Sequence, residues 1–159
     1  MGARARTPRV VAGLMAGVLI GLLVGLAGCG LVPSRPEADD WVASARQSLD
    51  DTASEVATVG LVVEQEQQDR LPASYAAVVA ARSEAAAGTA ADGITAQQPP
   101  DSKRQEYDAV AAALGDAADL VAETRIALVD HDTAAYPRLA ERLSRMERRL
   151  AQLATSVGR

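Results

Sequence analysis

The sequence predicts an all-α protein: an antiparallel, up-down-up-down four-helix bundle over residues 37–159, preceded by a separate apolar N-terminal segment. Three observations carry that prediction. Apolar side chains beyond residue 37 recur at alternating spacings of three and four, which places them on one face of a helix. No stretch sustains the period-two alternation of a half-buried strand. The periodic segments run roughly 20 to 33 residues and are joined by short turns, so consecutive helices fold back on one another.

The first segment spans about Glu37 to Asp69. Glu37, Asp39 and Asp40 suit the positive end of a helix dipole, and Val42, Ala45, Leu49, Thr52, Val56, Val59 and Val63 form its apolar stripe. Its last residues, Glu64-Gln65-Glu66-Gln67-Gln68-Asp69, read as a solvated helix end, with partner contact as the functional alternative. The second segment spans about Pro72 to Asp92, with Pro72 near the start. Leu71, Tyr75, Val78 and Ala81 or Ala85 give it a weaker, alanine-rich inward face, and Gly93 with Ile94-Thr95-Ala96-Gln97-Gln98-Pro99-Pro100 is expected to break it. The third begins at Asp101 or Ser102, where Ser102 and Gln105 have capping-box spacing. It carries Tyr107, Val110, Leu114, Ala117, Val121, Thr124 and Leu128, and Asp130-His131-Asp132 ends it. The fourth holds the cleanest stripe, Leu139, Leu143, Met146, Leu150 and Leu153, with Pro137 in its first turn after a lead-in over 133–136. Gly60 and Gly115 fall mid-helix, where each costs about 1 kcal/mol relative to alanine. Each sits one residue from a stripe, which points to close approach of neighbouring helices; a ligand groove is the alternative.

Residues 1–36 follow different rules. Arg4, Arg6 and Arg9 precede a run without charge from Val10 to Ser34, and the sole cysteine, Cys29, closes it after Leu26-Ala27-Gly28. A basic start, an apolar middle and small residues before a cleavage point form an export signal, with the arginines retained on the cytoplasmic side. The Leu26-Ala27-Gly28-Cys29 sequence resembles the lipobox of bacterial lipoprotein precursors. That resemblance covers about the first thirty residues and implies a cleaved signal peptide over 1–28 and a diacylglyceryl group on the Cys29 thiol, which becomes the mature N-terminus. Several acyl chains anchor durably, at about 0.8 kcal/mol per buried CH₂. An uncleaved helix over Val10 to Pro33 is also about long enough to anchor the chain. Either way the domain is exported, to the outer face of the cytoplasmic membrane or the periplasmic side where there is an outer membrane. The tether over 29–36, stiffened by Pro33 and Pro36, reaches roughly 25 Å at about 3.3 Å per residue, so the domain rides close to the bilayer.

Composition narrows the function. Without the three arginines of the leader, the chain holds 13 basic and 21 acidic residues, which argues against nucleic acid as a partner. One domain fits this length, whereas the two lobes of an importer's solute-binding protein do not. Phe is absent and aromatic residues make up only 3% of the chain, so the core must be built from Ala, Val and Leu. Neither a metal nor another cofactor is expected: His131 is the only histidine, Leu128 stands where a Glu-x-x-His pair needs its glutamate, and no Cys-x₂-Cys or His-x₃-His occurs. Met146 belongs to the leucine stripe and His131 to a polar turn, which disfavours haem. No nucleophile can be paired with a second histidine, so no catalytic residue is assigned and no enzyme activity is expected.

The sharpest charged pattern is a stripe of Arg138, Arg142, Arg145 and Arg149, with Arg148 beside it. Residues 138–159 carry net +4 against −12 for residues 29–137. These arginines fit ion pairs with acids on a neighbouring helix, such as Asp116, Asp119 and Glu123. The functional alternative is contact with an anionic membrane surface, since the end of the fourth helix shares a pole with the tether. The expectation is a structural or protein-interaction module of the cell envelope, held to the membrane through lipid on Cys29 and acting on an envelope protein partner. The alternative is a bundle that binds a small apolar ligand in its core. A sizeable apolar cavity would favour the ligand, and an exposed apolar strip along residues 76–91 the protein partner.

Overall fold

The computed structural model describes residues 38–159. The expected signal peptide, Cys29 and the tether lie outside the described residues. Four α-helices make up the fold: α1 (Ala38–Gln67), α2 (Ala73–Thr95), α3 (Arg104–Val129) and α4 (Tyr136–Ser156), with a 3-10 turn over Asp101–Lys103 before α3. No strand occurs among the described residues, and none of their helices is long and apolar enough to cross a membrane.

Helix α1 packs most extensively on α4 and also on α2, with a smaller contact to α3; α2 packs on α3, and α3 meets α4 less closely. Touching all three neighbours, α1 needs a wide buried face. Its whole stripe from Val42 to Val63 is buried, and Trp41 and Val62 extend it. On α3, Val110, Leu114, Ala117, Val121, Thr124 and Leu128 are buried as the spacing predicts. Ala113, Leu120 and Ala127 add a second row facing another neighbour. The buried Thr124 hydroxyl is satisfied by donating to the Leu120 carbonyl at 2.8 Å. On α4, Leu139, Leu143 and Leu150 are buried and Met146 and Leu153 partly so. Each fully buried leucine contributes roughly 1.5–3 kcal/mol.

Helix α2 departs from the expected face. Its buried residues are Ala76, Ala80, Ser83, Ala87 and Ile94, whereas Tyr75 is 57% and Val78 50% exposed. Ala81 and Ala85 are exposed as well, and Leu71 is half-buried. The helix turns its smallest side chains inward, which lets its backbone approach α1 and α3 closely and leaves the larger apolar residues outside. It also runs through Gly93 to Thr95. The Ser102–Gln105 capping box does not form. Pro100 is extended, Lys103 N–H donates to its carbonyl at 2.9 Å, and the 3-10 turn leads into α3 without a side-chain cap.

The glycines split. An added Cβ at Gly60 would lie 3.9 Å from Leu143 Cβ, an ordinary contact between α1 and α4, in line with close helix approach. At Gly115 nothing lies within 4 Å, so the close approach expected there is not what the glycine serves. Gly115→Ala is therefore expected to stabilise the domain by about 0.5–1 kcal/mol through helix propensity alone, read as a raised urea midpoint with an unchanged slope.

Helices α1 and α3 end alike. Asp69 and His131 take left-handed backbone angles, φ 52° and 53°. The N–H groups of Arg70 and Asp69 donate to the carbonyls of Gln65 and Glu66, and those of Asp132 and His131 to Ala127 and Leu128. Both are Schellman motifs, in which a left-handed residue past the last turn satisfies the final carbonyls. The expected stop at Asp130-His131-Asp132 thus has a defined mechanism.

The C-terminal residues close against α1 and α3. Val157 is buried, and its carbonyl accepts two hydrogen bonds from the Arg46 guanidinium, at 2.6 and 3.1 Å. Gly158 has φ 85°, and a Cβ there would fall 2.6 Å from Val42 Cγ1, so glycine is required. Its N–H donates to the Glu106 carboxylate at 2.9 Å, which also pairs with the Lys103 ammonium at 2.7 Å. The Lys103 hydrogen bond, then the Gly158 N–H, hold the Glu106 carboxyl below the usual glutamate range. A carboxyl whose pKa is lowered by folding contributes stability above its unfolded value and loses it as pH falls through the folded one. Glu106→Gln should accordingly destabilise the protein near neutral pH, with the difference closing in acid. Paired thermal melts across that range read this out.

Candidate functional site

The arginine stripe lies along the α3–α4 groove, and the acids foreseen for it supply most of the contacts. Arg142 donates to both Glu123 carboxylate oxygens at 2.6 Å, and Arg138 reaches the same carboxylate at 3.5 Å. Arg149 pairs with Asp116 at 2.7 Å. Arg145 instead pairs within its own helix, with Glu141 at 3.5 Å, and Arg148 donates to the Ser144 hydroxyl at 2.7 Å. Asp119 lines the same groove together with Leu120 and Met146. The paired charged groups are substantially exposed, and such pairs are worth at most about 1 kcal/mol each. They orient α4 on α3 more than they stabilise it.

A second feature is apolar. Tyr75, Val78, Ala81 and Ala85 follow one another along the outward side of α2 at spacings of three and four. On α3, Ile126 and Val129 are about half exposed. They follow Arg125, whose guanidinium pairs with Glu84 of α2. On α1, Leu61 is also 57% exposed and lines the groove between α1 and α4.

The third feature was not visible in the sequence. At the junction of the α1 C-terminal end with the α4 N-terminal end, a groove of about 540 Å³ is lined by Glu66, Asp69, Thr133, Tyr136 and Ala140, among others. Tyr136 is the first residue of α4, not part of a lead-in, and is 1% exposed. Its hydroxyl and the Glu66 Oε2 oxygen are both buried and without a hydrogen-bond partner among the described residues. Burial, then the charges of Glu66 and Asp132, push the Tyr136 phenol up. The polar run 64–69 is therefore only in part a solvated end: Gln67, Gln68 and Asp69 are exposed, while Gln65 and Glu66 are half-buried.

Among the described residues no three His, Cys, Asp or Glu side chains are arranged to hold a metal ion. His131 sits exposed in the turn after α3. Comparison with protein-family models, curated proteins and solved structures gave no match to this chain.

Proposed function

We propose that this chain is a membrane-anchored lipoprotein of the cell envelope, whose helices form an antiparallel up-down-up-down bundle that acts by contact with another protein and not by chemistry. Lipid on Cys29 holds it at the outer face of the cytoplasmic membrane, or on the periplasmic side where an outer membrane exists. The run Leu26-Ala27-Gly28-Cys29 after an uncharged segment supports the anchor.

Contacts along three helix pairs support the bundle topology. From Arg46–Val157 to Gly60–Leu143, residue numbers rise on α1 as they fall on α4. Asp116–Arg149 and Glu123–Arg142 relate α3 and α4 in the same sense. Thr95–Tyr107 and Glu84–Arg125 do so for α2 and α3. In that arrangement the arginines late in α4 share the tethered pole. Arg149 is engaged by Asp116, and Arg148 adds positive charge near an anionic surface, worth about 1 kcal/mol there.

The outward apolar side of α2 carries the contact reading, because a helix face that is exposed, apolar and regularly spaced marks an interaction surface. A photo-crosslinking amino acid placed at Tyr75 or Val78 in living cells should give one discrete adduct. The same probe at Gln47 or Asp108, exposed polar positions on α1 and α3, should give none. Val78→Asp should abolish the adduct formed at Tyr75 while leaving the melting temperature unchanged. Absence of an adduct at both apolar positions contradicts the reading.

A further inference from the structure

We infer that the cleft between α3 and α4 binds a small zwitterion, with its ammonium on Asp119 and its anionic group on Arg145. The inference rests on a missing rung in a ladder of ion pairs. Asp116 pairs with Arg149, and Glu123 with Arg142, both across the groove. These two rungs lie seven residues apart on each helix, about 10.5 Å at 1.5 Å per residue. Asp119 and Arg145 stand midway between them, level with one another on the facing helices. No ion pair joins them. Arg145 turns to Glu141 on its own helix at 3.5 Å, and Asp119 is exposed without a partner among the described residues.

An open cleft of about 560 Å³ takes the place of that rung, where α3 and α4 pack less closely than α1 on α4 or α2 on α3. Its floor is Leu120, 3% exposed, and the half-buried Met146. Asp119 and Arg145 each precede a floor residue by one position, so they form the walls while the two rungs close the ends. An exposed pair within one helix is weak, so Arg145 can leave Glu141 for an anion in the cleft. The walls then define the ligand class. A carboxylate accepts from the N–H groups of an ammonium, and a guanidinium donates two parallel hydrogen bonds to a carboxylate. A purely cationic molecule would meet the arginines of α4, and a purely anionic one the carboxylates of α3. A molecule with both charges suits both walls, and the carbon that joins or flanks them covers Leu120 and Met146. Amino acids have that composition, with the charges on one carbon or at the two ends of a short chain.

This site goes beyond the protein contact proposed for α2 and depends neither on it nor on the lipid anchor. The test is calorimetric titration of the full processed protein in non-ionic detergent micelles, with L-leucine in one arm and 5-aminopentanoic acid in the other. Saturable binding with a dissociation constant of order millimolar is expected in at least one arm, because solvent screens exposed charges. Asp119→Asn and Arg145→Gln should each weaken it about tenfold or more, and Asp130→Asn, outside the cleft, should not. Pentylamine and pentanoate, each with one of the two charges, should also bind about tenfold or more weakly. Thermal melts of both variants establish that they are folded. A response to leucine alone identifies an α-amino acid, and a stronger one to 5-aminopentanoic acid a ligand with its charges at the chain ends. The inference is overturned by lack of saturation in both arms, by binding that survives either substitution, or by equal binding of pentylamine or pentanoate.

Discussion

Trp41→Ala is expected to cost about 3–5 kcal/mol, the range for removing a large aromatic side chain from a packed core. Domains of this size are stable by only about 5–15 kcal/mol, so the variant should sit near the edge of unfolding, with its melting temperature lowered by roughly 10–20 °C. Trp41 is fully buried in the first turn of α1 and heads the largest core side chains. Its ring lies 6.5 Å from that of Tyr107, tilted by 45°, so it ties the start of α1 to the start of α3. The chain contains no Phe and only three Tyr, and the neighbouring core residues are mostly Ala, Val and Leu, which cannot grow into the vacated space. Trp41→Phe should cost much less. It keeps most of the ring volume and removes an indole N–H that has no partner among the described residues. Thermal melts followed by circular dichroism measure both variants. A loss below about 1 kcal/mol for Trp41→Ala would contradict a core built on this residue.

The second large effect concerns location. Cys29→Ser removes the thiol that the lipobox reading modifies, and the protein should move from the membrane fraction to the soluble extracytoplasmic fraction. Lipid chains contribute about 0.8 kcal/mol per buried CH₂, far more than the arginines of α4, most of which are engaged by Glu123, Asp116 or Glu141. Any residual association should therefore be removed by high salt. The bundle itself should melt as before. If the variant stays with membranes after a high-salt wash, the uncleaved apolar segment is the anchor.

Much of this fold was legible because three helices obey one rule. On α1, α3 and α4 the residues of the three-four stripe coincide with the buried face, with Leu61, Ile126 and Val129 left outside it, so counting threes and fours found the core. On α2 that rule misleads. Alanine occupies most positions there, and packing selected the face with the smallest side chains, leaving Tyr75 and Val78 outside. Periodicity weighs size and cannot register the advantage of close backbone approach. The start of α3 was misread for a local reason: the extended Pro100 and the 3-10 turn after it outcompete the capping box that Ser102 and Gln105 spell out. The arginine pairs were readable in kind, because Asp116 and Glu123 sit on the helix preceding α4. Arg145 differs because Glu141 lies one turn earlier on its own helix. The Glu66–Tyr136 groove left no trace in the sequence. Its two residues are 70 positions apart, one inside a polar run and the other just before a proline, and only the fold brings them together.

In the proposed function Cys29 is a lipidated N-terminus that holds the helical domain outside the cell membrane. Intact-mass and N-terminal peptide mass spectrometry of the protein purified from membranes tests it most directly. The expected result is a chain that begins at Cys29 and carries a thioether-linked diacylglyceryl group. A chain that retains residues 1–28, or a free thiol at Cys29, would contradict it.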